Sequence, residues 1–255
     1  MSKSNPRLQN PATKFIEFKG DTGQFFWYDK ETEEKKELTM PFYFVVLDEL
    51  CSIKGYNNRV GSGIYSNEIR SIKDDILNVR SFKGGIQIIG KYKDIKDNAL
   101  RDGGKFCKSV YAMLITGKGQ YELVNFQFHG ASFSGTGENC SSGWMNKKFN
   151  AEQFGVIVKE TEQGMTGKVT YQAPIFGKFN LTPEVDQAAI EMDKKLQVYL
   201  ASYLNQQIER EVIENAEIID TPASDEYNDV SIAEKMQEAK DNKFNESDED
   251  SGLPF

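Results

Sequence analysis

The sequence predicts a mainly β protein, in which many short strands form a barrel or a sandwich and are followed by a long helix and an acidic tail. Three observations support this fold class. Short aromatic and β-branched runs, punctuated by glycine, recur as far as residue 180. An apolar stripe of helical period begins near residue 183. From residue 219 the chain is polar and acidic, a composition expected to remain disordered.

A hairpin is the first predicted feature of the β region. Residues 15–18 and 24–28 are rich in aromatic residues and flank a Gly-Asp-Thr-Gly turn at residues 20–23, a pattern typical of paired strands. A charged loop is predicted over residues 29–37. Residues 41–47 are apolar on both faces at their centre, so this strand is expected inside a sheet.

The next stretch, residues 55–68, is rich in glycine and asparagine and is predicted to be a loop. Later strands are expected at residues 86–89, 108–115, 121–128, 154–160 and 168–176. The last two of these strands are expected to pair across a turn at Gln163 and Gly164. Four phenylalanines in apolar runs are predicted to be core residues: Phe42, Phe44, Phe126 and Phe128.

The helix is predicted over residues 183–214, with Thr182 as its N-cap and Pro183 in the first helical position. Its apolar residues recur three or four apart through Leu196 and Tyr203. Packing of this stripe on the barrel is favoured over a coiled-coil dimer seam. The chain then comprises an N-terminal arm (1–12), a folded domain (13–218) and a tail (219–255).

Charge is unevenly distributed along the chain, whose formal net charge is -8. Residues 51–180 carry 18 basic and 11 acidic groups, a balance of +7, whereas residues 209–255 carry 4 and 15, a balance of -11. This asymmetry suggests a body that binds a polyanion and a tail that repels or mimics that polyanion.

Several classes of protein are not supported by the sequence. No apolar run is long enough to cross a membrane, and the polar start does not have the form of a secretory signal. Cys51, Cys107 and Cys140 have no pairing pattern and are expected to be reduced thiols in a cytoplasmic protein. His129, the single histidine, has no metal-site or catalytic spacing around it, so no cofactor, metal or enzymatic activity is predicted.

The C-terminal tip joins acidic residues to an apolar end. Such a tip is expected to dock on a partner protein, with the terminal ring in an apolar pocket and the acids against basic residues. The residues predicted to form this contact are Asp248, Glu249, Asp250, Leu253, Pro254 and Phe255.

This tip resembles the C-terminal end of single-stranded DNA-binding proteins of bacteria and their phages. Residues 41–68 contain Pro-Phe-Tyr-Phe-Val-Val-Leu-Asp, Lys-Gly-Tyr and Gly-Ile-Tyr-Ser-Asn-Glu, and resemble a group of such proteins from tailed phages. One departure is that Ser251 and Gly252 separate the acids from Leu253. The resemblance implies an OB fold, a five-stranded Greek-key barrel, that binds single-stranded DNA without enzymatic activity. It also implies a tail that recruits phage or host replication and recombination proteins in the cytoplasm of an infected bacterium.

Binding of single strands needs basic residues for the phosphates and exposed rings for the bases. Both types of residue are interleaved over residues 54–111, and a second cluster surrounds Trp144. For Trp27, Tyr56, Tyr65, Tyr92 and Trp144 both a binding role and a core role remain open. The predicted DNA-binding residues are Trp27, Lys54, Tyr56, Arg59, Tyr65, Arg70, Arg80, Lys83, Tyr92, Lys93, Lys105, Lys108, Tyr111, Trp144, Lys147 and Lys148.

Two other functions remain as alternatives. The chain could be a β-rich interaction or inhibitor module whose acidic tail mimics DNA. It could also be a metal nuclease on a β scaffold, for which Asp74 and Asp75 are the candidate metal ligands. A monomer and a homodimer are both compatible with the sequence.

Overall fold

The computed structural model describes residues 8–29, 31–134, 136–137 and 154–219, with side chains over residues 8–29, 31–133 and 154–205. The chain divides into two units, Met1–Gln206 and Gln207–Phe255. The first unit contains a mixed sheet, and the described part of the second unit is helical as far as Ile219. The mainly β class and the long C-terminal helix are therefore confirmed.

The described residues form one sheet of twelve strands and two α-helices. The strands are β1 (Lys14–Lys19), β2 (Gln24–Asp29), β3 (Glu34–Leu38), β4 (Phe42–Asn57), β5 (Ser62–Ser66), β6 (Leu77–Ser81), β7 (Gln87–Gly90), β8 (Gly104–Gly117), β9 (Gln120–Phe128), β10 (Thr136–Gly137), β11 (Phe154–Thr166) and β12 (Val169–Asn180). The helices are α1 (Tyr92–Arg101) and α2 (Pro183–Ile219), and Gly130–Ser134 forms a 3-10 turn.

The strand order is β10-β12-β11-β4-β8-β9-β1-β2-β3, and β5, β6 and β7 form a branch that starts from β4. The pairs β1–β9 and β10–β12 are parallel, and the other pairs are antiparallel. The long strand β4 makes this branch possible. One edge of β4 pairs with β8, whereas its other edge pairs with β11 near Phe44 and with β5 near Lys54.

An aromatic core lies on one face of the sheet and includes residues from both ends of the strand order. Phe25 of β2 contacts Phe42 of β4 with a centroid distance of 5.0 Å, and Phe128 of β9 contacts Phe176 of β12 at 6.1 Å. The backbone N–H of Gln172 also donates to the carbonyl oxygen of Gly20 at 2.6 Å. The sheet is therefore open but strongly curled. Phe42, Phe44, Phe126 and Phe128 are all buried in this core, as predicted.

The two helices cover different parts of the sheet. Helix α1 buries Ile95 and Ala99 against Ile53 and Ile64, on the same face as the aromatic core. Helix α2 covers part of the other face, where Leu196 and Leu200 pack with Leu50 and Tyr111 in one buried cluster. The predicted packing of the α2 stripe on the sheet is therefore confirmed. Thr182 caps the helix as predicted, because its Oγ1 accepts from the backbone N–H of Val185 at 3.4 Å.

Several predicted boundaries are wrong. The charged loop predicted over residues 29–37 contains most of edge strand β3, and the loop predicted over residues 55–68 is largely the β4–β5 hairpin. Strand β6 and helix α1 were not expected. The β11–β12 turn lies at Gly167, beyond the predicted Gln163 and Gly164. Helix α2 continues to Ile219 instead of ending at residue 214. Neither helix in the described residues is long and apolar enough to cross a membrane.

Candidate nucleic-acid interface

A row of basic, aromatic and polar side chains crosses the branch of the sheet. Lys105 of β8 is paired with Lys54 of β4, which is paired with Tyr65 of β5; Tyr65 is paired with Arg80 of β6, and Arg80 with Gln87 of β7. Residues paired directly across strands point to the same face of a sheet. These five side chains therefore lie in one row, and we call the sheet face that bears it the open face.

The open face is opposite α1. Ile53 and Ile64, the neighbours of Lys54 and Tyr65, point the other way and are buried beneath α1. Because side chains alternate along a strand, the burial of these isoleucines directs Lys54 and Tyr65 away from the α1 core. Tyr56, two residues beyond Lys54, is also on the open face and is exposed.

Phe82 covers part of the open face at the β6–β7 turn. Its ring stacks on that of Tyr65 with a centroid distance of 4.4 Å and an interplanar angle of 24°, yet 74% of Phe82 is exposed. Gly63 lies beneath the ring, because a Cβ at this position would be 3.0 Å from Phe82 Cδ2. The stacked pair presents a flat apolar surface beside the row of Lys54 and Arg80.

The turn that carries Phe82 is built from glycines. Gly84 and Gly85 have φ values of 78° and 85°, a region that other residues rarely adopt. The backbone N–H of Phe82 donates to the carbonyl oxygen of Gly63 at 3.1 Å, and that of Lys83 donates to Ser62 Oγ at 3.0 Å. These bonds tie the turn to β5 and hold Phe82 over the sheet.

The same face continues across β9, β1 and β2. Gln127 of β9 is paired with Glu17 of β1, and Glu17 with Phe26 of β2. Lys54 Nζ donates to Glu17 Oε1 at 2.6 Å and to Gln127 Oε1, which places Lys54 where the two parts of the face meet. Lys35 of β3 adds a further cation, with Nζ 4.1 Å from the centroid of the Phe26 ring.

One carboxylate reduces the positive charge of the open face. The pKa of Glu17 is lowered to about 2, mainly by His129 and to a smaller extent by Lys54, although burial acts in the opposite direction. His129 Nε2 lies 4.0 Å from Glu17 Oε2. Glu17 is therefore charged at neutral pH and neutralises Lys54. By contrast, no carboxylate in the described residues forms an ion pair with Arg80, Lys83 or Lys105. These three cations, together with Lys35, are therefore available to an anionic ligand.

A pocket opens where the open face meets α2. Its volume is about 240 Å³, and its lining includes Phe15, Lys54, Tyr65, Glu68, Gln127 and Tyr203. Glu68 is held there by Tyr111, whose hydroxyl donates to Oε2 at 2.7 Å, and by Ser109 and Asn125, which donate to Oε1. Burial raises the pKa of Glu68 above its usual range.

The structure brings six of the predicted DNA-binding residues together. The predicted residues on or beside the open face are Lys54, Tyr56, Tyr65, Arg80, Lys83 and Lys105. Arg59 lies at the adjacent β4–β5 turn, where its guanidinium is 3.2 Å from Asp102. The prediction of a loop over residues 55–68 was wrong, because most of these residues form the β4–β5 hairpin.

Other predicted residues lie elsewhere. Tyr111 is completely buried beneath α2, so its prediction as a binding residue was wrong. Trp27 points to the core face and is only partly exposed, with Lys14 Nζ 4.8 Å from its ring centroid. Lys108 also points away from the open face and pairs with Glu49 at 3.0 Å.

Two further predictions fall on helix α1. Tyr92 begins α1 and packs against Phe106 at a centroid distance of 5.5 Å, where both line a second cavity of about 370 Å³. Lys93 is exposed on the same helix. Both residues therefore lie on the side of the branch that α1 covers, and not on the side that bears the row of Lys54 and Tyr65.

Arg70 has a structural role. Its two terminal nitrogens donate to the carboxylate of Asp48 at 2.6 and 2.7 Å, which is a bidentate ion pair. Asp74 and Asp75, the candidate nuclease ligands, both accept hydrogen bonds at the turn that begins with Ser71. Among the described side chains, no three acidic, histidine or cysteine residues are grouped as a metal site would require.

Trp144, Lys147, Lys148 and the six predicted residues of the C-terminal tip lie outside the described residues. The sequence-based prediction also missed Phe82, Phe15, Phe26 and Lys35. Phe82 could have been found from its setting, because a phenylalanine between serine and Lys-Gly-Gly is poorly placed for a core. Phe15 and Phe26 are adjacent to the buried Ile16 and Phe25, so their exposure depends on which face of the sheet is covered.

Comparison with known proteins does not identify the chain: no family model matches it, and no curated protein or solved structure matches it significantly.

Proposed function

We propose that this protein binds single-stranded DNA through the open face and coats it without sequence preference. The observation that carries this proposal is the row from Lys105 through Lys54 and Tyr65 to Arg80, with Phe82 stacked beside it. Cations along one path can follow the phosphates, and exposed rings can accept the faces of unpaired bases. Every base has such a face, so stacking does not depend on sequence.

The shape of the face favours single strands over duplexes. Phe82 and Tyr65 present flat ring surfaces, and a base in a duplex is already stacked on its neighbours. Recognition of a duplex sequence uses elements inserted into a groove, whereas the open face is one face of a curled sheet. We therefore propose an elaborated OB-like barrel, in which the β4–β7 branch extends the surface that contacts the strand.

The acidic tail completes the proposal. The tail, whose charge balance is -11 over residues 209–255, would occupy the basic face when no DNA is bound and would therefore compete with DNA for it. Phe255 and the preceding acids would then recruit replication or recombination proteins to the coated strand, in the cytoplasm of a phage-infected bacterium. Deletion of Phe255 alone should abolish capture of such partners and leave DNA affinity unchanged.

The test is fluorescence anisotropy with a labelled oligonucleotide of mixed sequence, as a single strand and as a duplex. We expect tight binding of the single strand. The logarithm of its association constant should fall by about 0.7 per tenfold increase in salt concentration for each phosphate neutralised. Phe82→Ala should weaken binding about tenfold, because each stacked base contributes ~1–3 kcal/mol.

The matched control is Met165→Ala. Met165 is 70% exposed, close to the 74% of Phe82, but lies at the β11–β12 turn and away from the open face. Its replacement should leave the affinity unchanged. Preference for the duplex, or affinity that does not respond to salt, would contradict the proposal. A complete lack of oligonucleotide binding would favour the protein-interaction module with a DNA-mimicking tail.

A further inference from the structure

We infer that the pocket between the open face and α2 holds a single nucleobase that carries a carbonyl oxygen. This inference rests on the proposed function, because it assigns a second, more selective contact to the same DNA strand. Lys54 and Tyr65 belong both to the row on the open face and to the lining of the pocket. A strand that follows the row is therefore led to the mouth of the pocket.

The walls of the pocket suit a flat ring. Phe15, Tyr65, Tyr199 and Tyr203 all contribute to its lining. Its volume of about 240 Å³ is below the ~300–1,000 Å³ of pockets for drug-sized ligands. Aromatic walls around so small a space favour one planar ring system over a longer apolar ligand.

The polar groups at the pocket indicate which edge of the base is read. Gln127 Oε1 accepts from Lys54 Nζ, whereas Gln127 Nε2 donates to no acceptor within the described residues. Lys54 has three N–H donors, of which Glu17 and Gln127 each accept one. The pocket therefore offers an amide donor and an ammonium donor side by side. Thymine, cytosine and guanine have a carbonyl oxygen that can accept from these donors, and adenine does not.

The pocket is also held in shape before any ligand binds. The backbone N–H of Glu68 donates to Tyr203 Oη at 2.9 Å, and the Tyr199 and Tyr203 rings are stacked at 5.8 Å. Tyr111 in turn donates to Glu68 and accepts from Asn10 Nδ2 at 3.1 Å. A wall fixed by such a network does not have to be ordered by the ligand, which favours affinity for a small molecule.

The test uses the full chain, labelled for amide NMR, and two probes: dTMP and dAMP. We expect dTMP to shift the backbone amide signals of Glu68 and Gln127, and to bind at least several-fold more tightly than dAMP. Phe15→Ala should weaken dTMP binding about tenfold by removing one aromatic wall. Tyr43→Ala is the matched control, because Tyr43 is 38% exposed against 37% for Phe15 and packs on Phe179 instead of lining the pocket.

Phe82→Ala separates this inference from the proposed function. It should weaken oligonucleotide binding and leave the dTMP dissociation constant unchanged, because Phe82 is not part of the pocket lining. The inference is overturned if dTMP does not shift these amides, if dAMP binds equally well, or if Phe82→Ala and Phe15→Ala reduce dTMP binding alike. If the unmodified protein binds no oligonucleotide, the proposed function is overturned, irrespective of how tightly dTMP or dAMP binds.

Discussion

At the scale of single residues, the charge of the open face is set by a few pairings. Lys54 lies at the centre of the face but is paired with Glu17, whereas Lys105 beside it and Arg80 two strands away form no ion pair in the described part of the chain. The pair is partly buried, with 27% and 34% of the two side chains exposed. It would also weaken the binding of a polyanion, because the carboxylate repels phosphates and occupies the lysine.

Replacement of Glu17 by glutamine should therefore tighten oligonucleotide binding at low salt. The change removes one negative charge from the open face and releases Lys54, and the gain should diminish as salt is added. Glu122→Gln is the matched control. Glu122 pairs with Lys14 and has 35% of its side chain exposed, against 34% for Glu17, but it lies on the opposite face of the sheet. Equal gains in both variants, measured by anisotropy, would show that only net charge matters.

Glu17→Gln should also change the response of stability to acid. The folded-state pKa of Glu17, about 2, is below its usual value of 4.5. The charged carboxylate therefore stabilises the fold above pH 4.5, and this contribution is lost as the pH falls toward 2. Thermal unfolding should show the variant less stable than the parent at pH 7, with the difference disappearing near pH 2. A constant difference across this range would exclude the ion pair as its cause.

At the scale of elements, the β6–β7 turn positions the most exposed ring of the proposed interface. Ser81 Oγ donates to the carbonyl oxygen of Gly84 at 2.5 Å, and the two glycines with positive φ reverse the chain directly after Lys83. Neither Gly84 nor Gly85 has a neighbour that a Cβ would meet. Glycine is thus required at these positions for its backbone conformation and not for space. Substitution at either position tests the turn without introducing a clash.

Alanine at Gly84 should lower stability by ~1 kcal/mol, because residues with a Cβ are strained at positive φ. It should also weaken DNA binding, since the strained turn no longer holds Phe82 on Tyr65. Gly119→Ala provides the control: Gly119 has φ 69°, has no neighbour within 4 Å of a Cβ, and lies in the β8–β9 turn. Differential scanning calorimetry should show similar losses in both variants, and anisotropy should show weaker binding only for Gly84→Ala. Unchanged DNA affinity of Gly84→Ala would remove the turn from the interface.

Sequence patterns predicted the elements whose residues alternate or repeat clearly. The hairpin of β1 and β2, the start of β4 and helix α2 all follow from such patterns. Within the branch, the strand predicted at residues 86–89 corresponds to β7. Strand β5 was missed because Gly55, Gly61 and Gly63 resemble a loop, although Gly55 allows close approach of Gly103 and Gly63 makes room for Phe82. Tyr111 was misassigned for a related reason. It follows lysines in sequence, but α2, distant in the chain, covers it.

At the scale of the whole molecule, the proposed DNA binding is expected to depend on the separation of charge between body and tail. The basic groups of the interface lie in a region with a balance of +7, and the acidic end carries -11. Opposite charges on one chain interact over distances that shrink as salt rises, with a Debye length of about 10 Å at 0.1 M. The tail is therefore expected to regulate binding most strongly at low ionic strength.

Deletion of residues 241–255 should tighten oligonucleotide binding at low salt and have little effect near 0.5 M salt. A second variant, in which Asp248, Glu249 and Asp250 are replaced by asparagine or glutamine at full length, should reproduce most of the gain. Anisotropy titrations at several salt concentrations measure both. Tighter binding by the deletion alone would assign the effect to the length of the tail and not to its charge.

The charged edge strand β3 has a consequence for the proposed coating of DNA by many copies of this protein. Its sequence, Glu-Lys-Lys-Glu-Leu, occupies the end of the strand order, and Lys36 there pairs with Asp29 of β2. Unprotected sheet edges invite neighbouring copies to add strands and aggregate, and charged side chains discourage this. Neighbouring molecules on one polynucleotide would thus be discouraged from pairing through β3, and would separate at this edge when the polynucleotide is removed.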